Sequence, residues 1–132
     1  MVLERAVFLG GNNMNKNHIT IENEIFNNLI KDLDGRDFDL KLENQLHIRE
    51  LKTILDITIY KENNVFAIFE VKKNLRNLNI YEPTKNRLKY LRRLLNARFI
   101  IITDGNDFYY LDANIEDEGF IEITYNRLIE VI

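Results

Sequence analysis

From Thr20 to Leu33 the apolar residues Ile21, Ile25, Leu29, Ile30 and Leu33 recur at helical spacing. That period predicts an amphipathic helix, closed by the Asp34-Gly35 pair. The pattern then loosens, and Arg36 to Arg49 supports a strand around Phe38 to Leu42 followed by a turn. From residue 51 the period changes to two. Leu55, Ile57 and Ile59 alternate with Asp56, Thr58 and Tyr60, and beyond Lys61-Glu62-Asn63-Asn64 the residues Val65, Ala67, Phe69 and Val71 alternate with Phe66, Ile68 and Glu70. Two such runs joined by asparagines, which tolerate left-handed backbone, predict a β-hairpin. The second run is apolar on both faces, which places it centrally in a sheet.

Pro83 opens a second helix that runs to about Asn96, with Leu88, Leu91 and Leu95 as its apolar stripe, in keeping with proline's preference for a first turn. A β-branched run from Arg98 to Thr103 leads through Asp104-Gly105-Asn106 to a strand from Asp107 to Leu111. A strand near Phe120 to Thr124 and a short helix from Tyr125 follow. Before all of these, Val2 to Leu9 reads as a strand or an ordered arm, and Gly10-Gly11-Asn12-Asn13 as a loop. The expected fold class is α/β: a single domain over residues 1–132, an α/β/α sandwich with a central mixed β-sheet.

Composition narrows the chemistry. The chain has no cysteine, which removes disulfides, Cys-type structural zinc and thiol catalysis. No stretch approaches the roughly 18 apolar residues of a membrane span. Glu4 and Arg5 interrupt the N-terminal apolar run, unlike a secretory signal. A cytoplasmic protein without membrane contact is expected. The formal net charge is −3, yet between Val71 and Arg98 nine basic residues stand against one acid, Glu82. Lys73, Arg76, Lys85, Lys89, Arg92 and Arg93 belong to this segment, and Lys85, Lys89 and Arg92 share a helix face. A local excess of that density suits phosphate binding as well as it suits a solvated face.

The hairpin adds a reaction. A three-residue loop, Glu62 to Asn64, sets Lys61 opposite Val65 and Asp56 opposite Glu70, with Cβ atoms about 5 Å apart. Lys72, two residues beyond Glu70, points to the same face. Phosphodiester hydrolysis needs an activated water and neutralised phosphate charge. A hard cation such as Mg²⁺ on carboxylates supplies both, and a neighbouring lysine orients the water. Adjacent unpaired carboxylates repel, so bound metal or a raised pKa is the expected outcome.

Residues 53–73, Thr-Ile-Leu-Asp-Ile-Thr-Ile-Tyr-Lys-Glu-Asn-Asn-Val-Phe-Ala-Ile-Phe-Glu-Val-Lys-Lys, resemble the core of the PD-(D/E)XK, restriction-endonuclease-like nucleases. The resemblance is strongest to the N-terminal nuclease domain of type I restriction motor subunits. It implies Mg²⁺, with Mn²⁺ as substitute, held by Asp56, Glu70 and the Val71 carbonyl, and a catalytic role for Lys72. It also implies a first-helix glutamate near the metal, for which Glu22 is placed towards the buried side and Glu24 towards the polar one. The family's Gln-x-x-x-Tyr element on the second helix corresponds to Asn86 and Tyr90, with asparagine one methylene shorter, and Leu55 stands where the family has proline. Arg98 to Gly105 resembles the following strand and turn. DNA is the implied substrate, and motor domains or other restriction-system subunits are implied partners.

Two other readings stay open: a nuclease-fold module that binds DNA or a protein without cutting, and an interaction domain whose charges are surface ion pairs. His18 and His47 read as isolated surface residues. Gly10-Gly11 lacks the lysine of a nucleotide-binding loop. Tyr109 and Tyr110 favour sheet packing over base stacking.

Overall fold

A computed structural model describes residues 17–75, 81–115 and 119–132. The segment Val2 to Leu9, the Gly10-Gly11 loop and Arg76 lie outside those residues. Helix α1, His18–Asp32, starts where the Asn17 side chain accepts the Thr20 N–H at 2.8 Å, which satisfies one of the orphan donors of a helix start. Strands β1 (Asp39–Ile48), β2 (Leu51–Lys61) and β3 (Asn64–Val71) follow, then helix α2 (Glu82–Leu95). Strands β4 (Phe99–Thr103), β5 (Phe108–Asp112) and β6 (Ile121–Ile123) precede helix α3 (Tyr125–Val131).

The six strands form one sheet in sequence order. Every pairing is antiparallel except β3 with β4. That parallel pair needs a crossover, and α2 supplies it. Ile21, Ile25 and Leu29 of α1 and Leu128 of α3 join Ile57, Ile59, Ala67, Phe69, Phe99 and Ile101 in one core cluster. Leu88 and Leu91 of α2 join Leu55, Ile68, Ile100 and Ile102 in another. Helices therefore cover both sheet faces, and the mixed α/β/α sandwich is the architecture observed.

Three local features differ from the sequence pattern. First, β1 runs to Ile48 instead of turning after Leu42. Second, the β2–β3 connection is a two-residue turn. Tyr60 pairs with Val65 and Lys61 with Asn64, while Ile59 pairs with Ala67 across a bulge. Glu62 (φ 52°) and Asn63 (φ 67°) are both left-handed, as a type I′ turn requires. The extra residue expected in the loop sits in the strand as the bulge, so Ile57 still faces Phe69.

Third, the hairpin rolls over part-way along. Leu40, Leu42, Ile57 and Ile59 pack in the α1 cluster, but Leu46, Leu51 and Leu55 pack in the α2 cluster. Strict alternation would keep Leu55 with Ile57. The change of side falls where Glu43 takes φ 50°, between the pairs Leu42–Ile57 and Asn44–Leu55. Asp56 stands across from Glu43 at that point.

Candidate active site

Carried one step beyond Ile57–Phe69, the β2–β3 ladder sets Asp56 beside Glu70. Both are buried, at 9% and 8% exposure. Asp56 Oδ2 accepts the Val71 N–H at 2.8 Å, which anchors the carboxylate to the end of β3. Because Asp56 lies where the hairpin rolls over, α1 reaches it too. His18 Nε2 is 3.3 Å from Asp56 Oδ2 and 2.9 Å from the Val71 carbonyl oxygen. One helical turn on, Glu22 is 1% exposed, and its Oε1 lies 3.9 Å from His18 Nδ1.

Burial pushes the Glu22 carboxyl up to about 9, reinforced by hydrogen bonding to Glu43 and by the charge of Asp56. Without a cation, that shift favours the protonated Glu22 carboxyl at neutral pH. Its Oε1 is nonetheless buried without a hydrogen-bond partner, a costly state for a polar atom unless a ligand completes it. Glu24, the other candidate on this helix, is exposed.

Glu70 meets the opposite layer. Its Oε2 lies 3.5 Å from Lys72 Nζ and 3.0 Å from an Arg87 guanidinium nitrogen on α2. Burial raises the Glu70 pKa and the charge of Asp56 adds to the rise, while Arg87 and Lys72 pull against it. Lys72 Nζ also sits 5.6 Å over the Tyr81 ring. Two buried carboxylates and two cations thus converge at the end of β3, with backbone from Val71 between them.

The structure brings Asp56, Glu70, Lys72, Val71 and Glu22 together. It does not bring the predicted basic helix face to them. At 100° per residue, Lys85, Lys89 and Arg92 lie on the flank of α2 opposite Arg87, the residue that reaches Glu70. Lys85 is tied to Glu82 at 2.8 Å, Lys89 sits over Phe120, and Arg92 donates to the Ala97 carbonyl at 3.2 Å. Asn86, Tyr90 and Arg93 are exposed on the outer side of α2, and Lys73 is exposed beyond β3.

Three site residues were missed in the sequence. His18, read there as an isolated surface residue, is instead in the site: its spacing of four from Glu22 puts both on one helix face, and that spacing was the available signal. Arg87 was counted within the basic segment but not singled out. Glu43 had no signal, because its place opposite Asp56 depends on β1 continuing past Leu42.

The donor set fits a divalent cation. His18, Glu22 and Asp56 each offer a ligand atom within 4.8 Å of the others, and the Val71 carbonyl and Glu70 adjoin them. Carboxylate and carbonyl oxygens are what a hard dication takes, and the orphaned Glu22 oxygen is an acceptor awaiting a charge.

Comparison with known proteins identifies the family and the fold. Residues 21–125 match the family described as type I restriction enzyme R protein N terminus. No curated protein matches the chain in sequence. Among solved structures, a candidate nuclease of the DUF820 group from Anabaena variabilis ATCC 29413 superposes with a TM-score of 0.54 at 14% identity. The match covers 81% of this chain and 66% of that protein, just under two thirds of its length, and it establishes the shared fold.

Proposed function

The chain belongs to the family of type I restriction enzyme R protein N termini, and from that premise we propose that it is a metal-dependent DNA endonuclease that hydrolyses phosphodiester bonds. The observation that carries the proposal is the pair of buried carboxylates, Asp56 and Glu70, with the Lys72 ammonium 3.5 Å from the second. Asp56, Glu70 and the Val71 carbonyl would hold the cation, Mg²⁺ or Mn²⁺. When bound, such an ion supplies a polarised water and neutralises phosphate charge.

The chain's own residues do the rest. The Val71 N–H fixes the Asp56 carboxylate in one rotamer through the 2.8 Å hydrogen bond. Lys72 orients the attacking water and offsets negative charge developing on the phosphate oxygens. Arg87, half-exposed beside Glu70, lies at the edge where a DNA backbone enters. Tyr90, Asn86 and Arg93 extend that edge along α2, and Lys73 extends it beyond β3. Membership in a restriction system's motor-subunit family makes motor domains and sister subunits the fitting partners, and the cytoplasm the fitting compartment. Among the described residues no helix is long and apolar enough to cross a membrane.

The test begins with metal, because binding needs neither DNA nor a motor. Calorimetric titration of the wild type and Asp56→Asn, which keeps an acceptor for the Val71 N–H, should show binding only in the wild type. Nicking of plasmid DNA should then be lost in Lys72→Ala with metal binding retained. Metal binding indifferent to Asp56→Asn would instead support a non-cutting DNA or protein module.

A further inference from the structure

The His18 imidazole is aimed at the groups that would hold the cation. Its Nε2 stands 2.9 Å from the Val71 carbonyl oxygen and 3.3 Å from Asp56 Oδ2. Two ligands at right angles on an ion, each about 2.1 Å from it, are separated by about 3.0 Å. Imidazole nitrogen, carbonyl oxygen and carboxylate oxygen therefore already keep the spacing of neighbours in one coordination shell. A second observation points the same way. Glu22 Oε1, on the next turn of α1, is buried and has no hydrogen-bond partner, although its residue is only 1% exposed. The helix thus leaves the buried Glu22 oxygen unmatched unless a cation takes it, and it holds His18 Nε2 in hydrogen-bond contacts with the Val71 and Asp56 oxygens that a shared cation would replace.

We propose that His18 is a nitrogen ligand of the site's cation, so that the site prefers a first-row transition dication over Mg²⁺. This rests on the nuclease reading above and deepens it. Mg²⁺ favours oxygen ligands and keeps its waters, whereas imidazole binds first-row transition ions more strongly. A mixed set of one imidazole, one carbonyl and carboxylates thus shifts selectivity away from Mg²⁺. Mn²⁺ is the probe of choice, since it accepts the same oxygen set and adds affinity for the nitrogen. His18 begins α1 and is 42% exposed at its side chain, so its replacement removes no core packing.

Calorimetry with Mn²⁺ and Mg²⁺ on wild type, His18→Ala and, as a control, His47→Ala tests the assignment. Wild type should bind Mn²⁺ about tenfold or more tightly than Mg²⁺. His18→Ala should lower Mn²⁺ affinity by about tenfold or more and Mg²⁺ affinity far less, while His47→Ala changes neither. Pulsed electron paramagnetic resonance of the Mn²⁺ form should show coupling to a directly bound nitrogen that His18→Ala removes and His47→Ala keeps. An unchanged Mn²⁺/Mg²⁺ ratio, or a nitrogen coupling that survives His18→Ala, overturns the assignment. If Asp56→Asn still abolishes binding of both ions in that case, the nuclease reading stands without His18; if neither ion binds the wild type, both fall.

Discussion

Replacing Glu22 by Gln should flatten the pH dependence of stability in the metal-free protein. The folded-state pKa of Glu22 is pushed up to about 9 from a reference of 4.5, with burial the largest cause. Between those values the folded protein holds a proton that the unfolded chain has released. Unfolding then sheds a proton, so stability falls as pH rises. The stabilisation is full below the unfolded value and is lost as pH climbs through the folded one. The slope is at most about 1.4 kcal/mol per pH unit, which amounts to roughly 2.7 kcal/mol between pH 6 and pH 8. In a chain of this size that corresponds to a melting temperature lower by roughly 10 °C. Glutamine has the same shape and no titrating proton, so the variant should lack this component. The groups facing Glu22 are His18, Glu43 and Asp56, and all three remain in the variant. Calorimetric melting of both proteins in chelator across this range measures the difference directly. Parallel curves would mean that Glu22 is ionised in the fold, and the argument from its burial would fail.

Arg87→Gln should act in opposite directions on the two ligands of the site. Removing a cation 3.0 Å from Glu70 should raise Mn²⁺ affinity by up to about fivefold, while the salt slope of DNA binding falls by about 0.9; Lys89→Ala, on the far flank, should leave Mn²⁺ affinity as it is. Calorimetry and fluorescence anisotropy over a salt series check both. The paired change Glu62→Asn with Asn63→Gly supplies the residues a type I′ turn prefers, and should raise stability to urea by about 1 kcal/mol without altering metal affinity. Phe69→Ala, in a fully buried position, should cost about 3–5 kcal/mol in the same urea experiment.

The sequence pattern was most informative where periodicity and chemistry coincide. The alternation around Asp56 and Glu70 predicted two paired strands in the register found at the site, although the loop length was wrong. The two differences compensate: one residue leaves the loop and one enters the strand as a bulge, and a register argument cannot tell these apart from the pattern alone. The α1 stripe separated buried Glu22 from exposed Glu24 because helical phase is fixed by its apolar residues. Phase along α2 was equally legible, but which flank faced the active site was not. That depends on how the crossover seats the helix, and Arg87, not Lys85 or Lys89, turned out to reach Glu70. His18 and Glu43 needed tertiary information, since neither touches Asp56 until α1 is laid on the sheet and β1 extended past its expected end.

The roll of the β1–β2 hairpin explains why one aspartate can serve groups from both helical layers. On a regularly alternating strand, a side chain faces one layer only; Glu70, on β3, does so and meets Arg87 of α2. Asp56 is placed where odd-numbered residues leave the α1 cluster for the α2 cluster, so its carboxylate lies at the seam between them. From one side it receives His18 and Glu22, from the other it repels Glu70, and the Val71 N–H holds it between the two. The left-handed backbone of Glu43 permits that roll, at roughly 1–2 kcal/mol for a residue with a Cβ. Strain of this kind persists where the surrounding structure over-determines it. Here the two core clusters on either side of the kink supply that constraint, because straightening β1 would withdraw Leu46 from one cluster or Leu42 from the other. Glu43→Gly should therefore be tolerated by the fold, whereas a β-branched residue such as Glu43→Val should loosen the seam and weaken metal binding through Asp56 without touching the cation itself.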